Sequence, residues 1–337
     1  MDTNFTSKQT SRREMLRAGL ALAGSGALAG FLPANLLAGA GAAPPPSTPQ
    51  QAATPADRLA QMRAQMSAVP LVTSKLRDNL YLLSGPGGNM VVLNGPDGKL
   101  IVDSSFATVV PKIKSAMDGM GGGPLKILIN THWHFDHTDG NEGLHQAGAM
   151  ILAHENTRKR LSTVQDVPAF GLHFEPSPAA ALPQQTFTDG TKVYFNGEEL
   201  TLAHFAPAHT DSDIYVRYEK ANVLHMGDLW FGATYPFFDS SSGGNIDGMI
   251  AGTARGIALA DADTKIVPGH GAVADKEGLK RTHEMLITVR DRVQKLKSSG
   301  KSLQDTVAAK PTADLDATWA KGMVNGDFLT TLVYTTL

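Results

Sequence analysis

The sequence predicts an α/β protein in which helices cover two β-sheets. Two features of the chain after residue 70 indicate this class. Short runs rich in β-branched and aliphatic residues alternate with stretches of helical periodicity, and clusters of Gly and Pro separate them. In the middle of the chain, four β-type runs follow one another before the helical stretches resume. A chain of 337 residues that is 42% apolar can bury the core that such a fold needs.

The first half is expected to alternate strands with helices. Strands are predicted at 80–83, 90–93, 100–102, 127–129 and 150–153. Helices are predicted at 109–117, 143–146 and 155–162. The G-P-D-G turn at 95–98 joins two of the strands as a hairpin, and three glycines at 121–123 end the first helix.

The second half is expected to form the second sheet. Its strands are predicted at 186–195, 199–205, 214–218, 223–226 and 265–267. Asn196-Gly197 is a strong hairpin turn between the first two. Helices are predicted at 246–260 and 276–296. We therefore expect one domain over residues 71–297, followed by a helical extension over 298–337 that packs on it.

The first 42 residues contain the three parts of an export signal. An S-R-R segment at 11–13 precedes an Ala/Gly/Leu stretch at 18–32, and A-x-A patterns follow at 38–42. The paired arginines resemble a twin-arginine signal, which carries folded proteins across the bacterial inner membrane. The apolar stretch is shorter than the roughly 20 residues that a membrane span needs, so no stable membrane anchor is expected. The interpretation is a periplasmic or secreted protein, exported folded by the twin-arginine machinery, with an extended Pro/Ala-rich linker at 43–70.

The composition excludes several classes of function. The chain carries 30 basic and 32 acidic residues, and residues 43–337 carry 26 and 30, a net charge of −4. This balance provides no electrostatic footprint for nucleic acid, so no nucleic-acid partner is expected. The absence of cysteine excludes disulfides, thiolate-ligated metals and iron–sulfur clusters. It also excludes a thiol nucleophile and lipid attachment at a cysteine. Eleven histidines remain as candidate metal ligands.

A dense group of ligand-type side chains follows the strand predicted at 127–129. In H-W-H-F-D-H at 132–137, His132 and His134 alternate to one side of a loop, and Asp136 and His137 follow. Imidazole and carboxylate together suit zinc, and also iron or manganese. A single histidine on a strand is usually a packing or surface residue, but four ligand-type residues within six positions predict a metal site.

This H-x-H-x-D-H motif after a strand resembles that of the metallo-β-lactamase-fold hydrolase superfamily. Three later segments resemble the remaining elements of the family, in the expected order: A-H-T-D with His209, H-M-G-D with Asp228 and P-G-H with His270. The resemblance covers about residues 71–297. It implies a four-layer αββα sandwich, the metallo-β-lactamase fold.

The resemblance also implies two metal ions, expected to be two Zn²⁺, with iron or manganese as alternatives. The implied ligands are, for the first ion, His132, His134 and His209; for the second ion, Asp136, His137 and His270; and, shared by both ions, Asp228. Two positions depart from familiar members of the family. Asp139 stands where a small residue is usual. Asp228 stands where well-known β-lactamases have cysteine or serine, which resembles the lactonase, glyoxalase and general-hydrolase branches instead.

The function that the resemblance implies is an exported dinuclear zinc hydrolase with a small-molecule substrate. A metal-bridging hydroxide would attack an ester, lactone, thioester or amide carbonyl, and Asp136 would orient this nucleophile and help move its proton. A β-lactamase and a lactonase remain alternatives within the fold. Thioester hydrolysis of the glyoxalase type is less favoured, because glutathione is largely cytoplasmic. An iron-dependent oxidoreductase of the same fold is the alternative of another class.

Three further polar side chains are candidates near the site. Asp103, which ends the strand at 100–102, either orients a ligand imidazole from behind or is a surface carboxylate. His225 either orients a ligand in the same way or serves packing. His173 lies in an irregular stretch at 168–178 and is a candidate substrate contact.

Aromatic side chains cluster after Asp228. Trp230, Phe231 and Tyr235 lie on a loop that leads to glycines at 243–244. They either plug the end of the sheet or form the apolar wall of a substrate pocket. In the second case, Trp230 and Phe231 bind substrate and Tyr235 acts as a catalytic residue that donates to a carbonyl oxygen.

Overall fold

The computed structural model describes residues 54–337. The expected signal segment at 1–42 and the first part of the expected linker, 43–53, lie outside the described residues. Within 54–337, no helix combines the length and the apolar character needed to cross a membrane.

The first sheet has seven strands in the spatial order β1-β2-β3-β4-β5-β6-β9. They are β1 Val72–Lys75, β2 Leu80–Ser84, β3 Met90–Gly95, β4 Gly98–Val102, β5 Leu125–Ile129, β6 Met150–His154 and β9 Gln185–Phe187. Strands β1 to β4 pair antiparallel, whereas β4, β5, β6 and β9 run parallel. The carboxyl ends of the parallel strands therefore meet at one edge of the sheet, where ligand sites of α/β folds are commonly found.

The second sheet has five strands in sequence order. They are β10 Gly190–Phe195, β11 Glu198–His204, β12 Ile214–Tyr218, β13 Val223–His225 and β14 Lys265–Val267. Strands β10 to β13 pair antiparallel, and β13 and β14 are parallel. Asn196 and Gly197 both have positive φ, at 52° and 73°, so the predicted hairpin turn is confirmed.

Helices flank both sheets. They are α1 Pro55–Ala68, α2 Val110–Gly119, α3 Phe135–Thr138, α4 Asn141–Gln146, α5 Glu155–Leu161, α6 Ile246–Leu259, α7 Lys276–Ser298, α8 Leu303–Ala308, α9 Asp316–Trp319 and α10 Gly326–Thr336. The longest helix within residues 54–337, α7, is capped at its N-terminus by Asp275, whose side chain accepts a hydrogen bond from the Gly278 N–H. Lys295 and Lys297 in its last turn complement the negative end of the helix dipole.

Three hydrophobic cores separate four layers. The central core lies between the sheets, where Val91 of β3 belongs to the same cluster as Leu202 and Val216 of the second sheet. Ile113 of α2 is buried with the outer face of the first sheet, and Leu286 of α7 with that of the second. The predicted αββα sandwich is therefore confirmed.

The run at 186–195, predicted as one strand, is two strands in different sheets. β9 ends at Phe187 and β10 begins at Gly190, so the chain crosses between the sheets over two residues. The Asp189 carbonyl already accepts from the His204 N–H of the second sheet, at 2.8 Å. Local β-propensity is continuous through the crossing, and it carries no information about which sheet a strand joins.

Residues 55–68, expected as part of an extended linker, form helix α1 instead. Thr54 and Asp57 form a capping box: Thr54 Oγ1 accepts from the Asp57 N–H at 3.2 Å, and Asp57 Oδ2 accepts from the Thr54 N–H at 2.9 Å. Pro55 occupies the first helical turn, where its missing N–H costs nothing. The Thr-Pro-Ala-Asp pattern signals a helix start that the Pro/Ala-rich composition obscured.

Helix α1 is held against the first sheet's helical layer. Lys112 Nζ of α2 donates to the carbonyls of Ser67 and Val69 at the end of α1, at 2.6 and 2.9 Å. Thr108 Oγ1 donates to the Arg63 carbonyl at 2.9 Å.

Candidate metal centre

The first sheet supplies four of the predicted ligands from one segment. The chain leaves the carboxyl end of β5 as a short loop and turns into helix α3 at Phe135. His132, His134 and His137 are buried, and the side chain of Asp136 is partly exposed.

The second sheet supplies the other three from separate strand ends. His209 lies on the loop after β11, Asp228 follows β13 and His270 follows β14. Strands β13 and β14 are parallel, and His225 is in register with Val267. Asp228 lies three residues after His225, and His270 lies three residues after Val267. The parallel pairing therefore brings both side chains to the same end of the sheet.

Two groups of ligand-type side chains meet between the sheet ends. Within each group, the ligand-type atoms all lie within 4.8 Å of one another. The groups are His132, His134 and His209, and Asp136, His137 and His270. In the first group, His209 Nε2 lies 2.8 Å from His134 Nδ1. In the second, His270 Nε2 lies 3.1 Å from Asp136 Oδ2 and 3.3 Å from His137 Nε2.

Asp228 lies between the two groups. Its Oδ2 is 3.4 Å from His209 Nε2 and 3.3 Å from His270 Nε2, and its Oδ1 is 3.2 Å from His137 Nε2. One carboxylate thus reaches rings of both groups. It also forms a third ligand-type group with His132 and His137.

The chemistry of the cluster fits a cation. His132 Nε2 is buried and has no hydrogen-bond partner within the described residues, which is costly for a polar atom. Nitrogens of His134 and His209, and of His137 and His270, face each other at contact distance. Imidazole and carboxylate are suitable ligands for zinc, iron or manganese, so a divalent cation would satisfy these converging atoms.

Hydrogen bonds on the far side of three of the rings fix which nitrogen faces the cluster. Asp103 Oδ2 lies 2.8 Å from His137 Nδ1, which directs Nε2 inward. The Phe237 carbonyl accepts from His209 Nδ1 at 2.8 Å, with the same result. Such outer partners orient the ligands of metal sites. Asp103 is fully buried, so it is not a surface carboxylate.

Asp239 has the same role at His134 and was missed by the sequence reasoning. Its Oδ2 lies 3.2 Å from His134 Nε2, which directs Nδ1 towards His209. Asp239 stands on an irregular segment 105 residues from His134, and no motif marks it. The His134 contact and two serine hydroxyls hold the pKa of Asp239 below its usual range against the opposing effect of burial.

Two glycines let the backbone approach the cluster. A Cβ at Gly88 would lie 2.1 Å from Cε1 of His137, and a Cβ at Gly269 would lie 1.8 Å from Oδ1 of Asp228. Any larger residue at either position would displace a ligand-type side chain.

The two groups differ in charge in the ion-free protein. Burial lowers the pKa of His209 to about 4, and it lowers the pKa of His132 well below its usual value. Burial also opposes charging of His270, but the carboxylates of Asp228 and Asp136 outweigh it and raise the pKa of His270 to about 10. At neutral pH, His132 and His209 are therefore free to bind a cation, whereas His137 and His270, whose pKa values nearby carboxylates raise, must first release their protons.

A cavity of about 660 Å³ opens onto this cluster. Ligand-type residues in its lining are His134, Asp136, His209, Asp228 and His270. Phe231 also lines the cavity, and its ring stacks on His270 with the centroids 5.4 Å apart. Phe231 therefore stands where a substrate contact is possible.

Three other predicted residues do not line this cavity. Trp230 is buried, and its Nε1 donates to Thr282 Oγ1 at 2.8 Å. The Tyr235 hydroxyl donates to Asp316 Oδ1 at 2.9 Å, away from the cavity. The geometry therefore favours the plug interpretation for these two aromatics, and it does not bring Tyr235 to the cavity where a catalytic role was predicted.

His173 is also away from the cavity. It lies on the surface of β8 Leu172–Phe174, which pairs with β7 Gln165–Val167, and its Nδ1 is 2.8 Å from Asp166 Oδ1. The hairpin turns this ring outward, so the structure does not bring His173 to the cavity where a substrate contact was predicted.

His225 forms hydrogen bonds with residues next to the cluster and not with a ligand ring. Its Nδ1 accepts from the Gly227 N–H at 3.1 Å, so Nε2 donates to the Asn89 carbonyl at 3.1 Å. Asn89 in turn donates through Nδ2 to the carbonyls of Pro268 and Gly271, both at 2.9 Å. His225 thus supports the loop that carries His270 rather than a ligand ring.

Solved structures show where this fold occurs elsewhere. DIM-1 metallo-β-lactamase is 20% identical, with a TM-score of 0.52 over 65% of this chain and 99% of that chain. A metallo-β-lactamase from Pontibacter korlensis is 17% identical, with a TM-score of 0.52 over 64% and 99%. The sec-alkyl sulfatase PisA1 is 14% identical, with a TM-score of 0.60 over 81% and 51%. At these identities, the likeness shows the fold alone.

Among curated proteins, a hydroxyacylglutathione hydrolase from Nitrosococcus oceani is 28% identical over 166 residues, 48% of this chain. The chain spans about half of that relative, 55% of its length. A sequence profile of the metallo-β-lactamase superfamily matches residues 83–270, which is more than half of the chain and includes every ligand-type residue of the cluster. The chain therefore belongs to the metallo-β-lactamase superfamily, a superfamily of metal-dependent hydrolases.

Proposed function

We propose that this chain is a dinuclear zinc hydrolase that opens an ester, lactone or amide carbonyl. One observation carries the proposal: seven imidazole and carboxylate side chains converge at the end of a cavity, with a buried and unpartnered His132 Nε2 among them. Such an arrangement is expensive to maintain unless a cation occupies it.

The proposed ligands divide as the two groups do. His132, His134 and His209 would hold one ion, Asp136, His137 and His270 would hold the other, and Asp228 would reach both. When bound, divalent ions would supply Lewis acidity, which polarises a carbonyl and makes water acidic enough to ionise near neutral pH.

The protein's own residues would then position the reactants. Asp136 lines the cavity, and its carboxylate is partly exposed there. An ionised Asp136 can accept a hydrogen bond from the attacking water and carry its proton. Phe231 covers one face of His270 and limits access of bulk water to the reacting atoms.

The test combines metal content with activity. We expect His134→Ala to lose one bound zinc and all measurable ester and lactone hydrolysis. We expect Asp136→Asn to lower kcat by about 10²–10⁴-fold. The control is His145→Gln, which removes a histidine on α4 that bonds the Ala149 carbonyl far from the cluster. Full activity with two zinc ions per chain in His134→Ala would exclude the proposed ligand set.

Other substrates of the same reaction type remain candidates. The curated relative is named as a hydrolase of hydroxyacylglutathione, which favours a thioester. A β-lactamase is disfavoured by Asp228, since known β-lactamase branches have other residues there. Parallel assays with lactoylglutathione, nitrocefin and a lactone would rank these substrates.

An iron-dependent redox activity is the competing class. Elemental analysis of protein purified without added metal distinguishes this class from a zinc hydrolase. Two iron ions per chain, together with visible absorbance, would favour oxidoreductase chemistry over hydrolysis.

We also propose that the protein acts outside the cytoplasm. The support is the paired arginines and the apolar stretch at 18–32. Replacing Arg12 and Arg13 with lysine preserves charge, and it should leave the precursor in the cytoplasm if twin-arginine machinery exports the protein. Unchanged periplasmic recovery of the variant would contradict this route.

A further inference from the structure

The cavity over the candidate metal centre has mostly apolar walls. Its volume of about 660 Å³ falls in the range of about 300–1,000 Å³ that encloses a drug-sized ligand. The apolar residues that line it are Met62, Met66, Phe106, Phe135, Val167, Phe170, Leu172, Phe231, Phe237 and Met323. Gln61, Gln65 and Thr234 also line the cavity, but apolar side chains predominate, so the walls suit hydrocarbon better than charged groups.

Helix α1 forms one of these walls. Met62 and Met66, one turn apart, both line the cavity and are partly buried against the domain. Methionine is flexible and polarisable, so it can adapt to chains of different shape. The helix lies outside residues 83–270, the segment that matches the superfamily. This wall is thus an addition of this chain to the matched part of the fold.

The β7–β8 hairpin and the loop after Asp228 form adjoining walls. Phe170 packs against Phe237 with the ring centroids 4.7 Å apart. Phe170 lies in the turn between the two hairpin strands, and its carbonyl accepts from Arg58 Nη1 of α1 at 3.4 Å. Helix and hairpin therefore enclose the apolar space together.

The cavity offers little to a highly charged ligand. Apart from the ligand-type residues at its floor, Arg58 is the one charged side chain that lines it within residues 54–337, and Arg58 is exposed. A glutathione thioester carries two carboxylates and an ammonium group. Burial of such charges without partners costs several kcal/mol per group.

We propose that the substrate is an ester or lactone with an uncharged hydrocarbon chain, and that Met62 and Met66 select it by packing along this chain. The proposal rests on the proposed hydrolytic function for the reacting group and on the cavity walls for the chain. It assigns to α1 a role in specificity that is separate from the metal ligands.

The kinetic test uses p-nitrophenyl esters from acetate to octanoate with zinc-loaded protein. Each buried methylene should raise kcat/KM by about three- to fourfold until the cavity is filled. Met62→Gln keeps the side-chain length and helix propensity but places an amide in the wall. It should lower kcat/KM for octanoate about tenfold more than for acetate. Ala64→Gln, on the exposed side of α1, is the matched control and should change neither ester.

The affinity of the cavity for hydrocarbon chains can also be measured with ligands that do not react. Straight-chain alcohols from hexanol to decanol should displace the neutral fluorescent probe N-phenyl-1-naphthylamine, with an affinity that rises about threefold per methylene. Met62→Gln should weaken this series, and Ala64→Gln should not.

The two tests separate the two proposals. Hydrolysis that does not depend on chain length, together with alcohol binding that does not depend on chain length, would overturn the hydrocarbon proposal and leave the hydrolase intact. Chain-dependent binding without hydrolysis of any ester or lactone would overturn the hydrolase and leave the cavity assignment intact. Equal behaviour of Met62→Gln and Ala64→Gln would overturn the role of helix α1.

Discussion

Arg63 of helix α1 forms a two-point ion pair with Asp139: Nε donates to Oδ2 at 2.9 Å, and Nη2 contacts Oδ1. Asp139 lies three residues after Asp136, and its Oδ2 also accepts from the Ala107 N–H at 2.8 Å. The helix that walls the cavity is thus fixed to the segment that carries the candidate ligands. Asp139, which stands where the family usually has a small residue, therefore has a structural role in this chain.

We expect Arg63→Ala to loosen α1 without unfolding the domain. Arg63 is partly exposed and no residue of α1 is buried, so the loss of stability should be below about 1 kcal/mol. KM for a long-chain ester should rise several-fold with kcat nearly unchanged, and amide hydrogen exchange over 55–68 should accelerate. Arg63→Lys should fall between, because lysine cannot form the two-point contact.

The control for this variant is Arg290→Ala, which removes the exposed ion pair with Asp247 far from the cavity. An unchanged KM in Arg63→Ala, with faster exchange in α1, would show that the helix does not shape the substrate site.

The candidate ligands could be predicted because each follows a strand within a short motif. His132 to His137 are adjacent in sequence, and the segments around Asp228 and His270 leave recognisable strands. Apart from Asp103, the long-range partners of this segment could not be predicted in the same way. Arg63 meets Asp139 across 76 residues, and Asp239 meets His134 across 105.

The roles of the aromatics after Asp228 depended on the fold rather than on composition. Trp230 and Tyr235 have the chemistry of pocket residues, but tertiary packing turns them towards α7 and the segment around α9. Phe231, one position after Trp230, faces the cavity instead. On an irregular loop, no period of two or 3.6 residues indicates which side chain points where.

Asp103 should control the metal affinity of the second group. Its Oδ2 meets His137 Nδ1 at 2.8 Å, and its Oδ1 accepts from the Thr131 N–H at 2.8 Å. Asp103→Asn is the appropriate variant, because the residue has φ 65° and asparagine tolerates this left-handed conformation. We expect zinc affinity to fall about 10–100-fold, measured by competition with a chromophoric chelator.

The matched control is Asp78→Asn, at an exposed carboxylate before β2. Equal zinc affinity in Asp103→Asn and Asp78→Asn would contradict a role of Asp103 in orienting His137.

Tyr235 should matter for stability and not for catalysis. Tyr235→Phe removes the hydroxyl that donates to Asp316 Oδ1, so unfolding should cost about 1 kcal/mol less, with kcat and KM unchanged. Tyr194→Phe, at a ring that is 70% exposed, should change neither quantity. A fall in kcat of more than tenfold in Tyr235→Phe, with the fold intact, would restore the catalytic assignment.

Acid should remove the second metal ion before the first. In the ion-free protein, nearby carboxylates outweigh burial and raise the pKa of His270 to about 10. A cation that binds to Asp136, His137 and His270 at neutral pH must therefore displace a proton from the His270 ring. The affinity of this group should fall about tenfold per pH unit for each proton displaced. His209, with a pKa lowered to about 4 by burial, is already neutral. The first group should therefore keep its ion near pH 5.5.

The same shift predicts an opposite trend for the stability of the ion-free protein. The folded pKa of His270 lies above its unfolded value of about 6.5, so the stability gained from its charged form is fully present below pH 6.5 and is lost as the pH rises through 10. Zinc content after dialysis at pH 5.5 and 8 should be one and two ions per chain, while Tm in chelator should fall from pH 6.5 to pH 10. Loss of both ions at the same pH would contradict the difference in charge between the two groups.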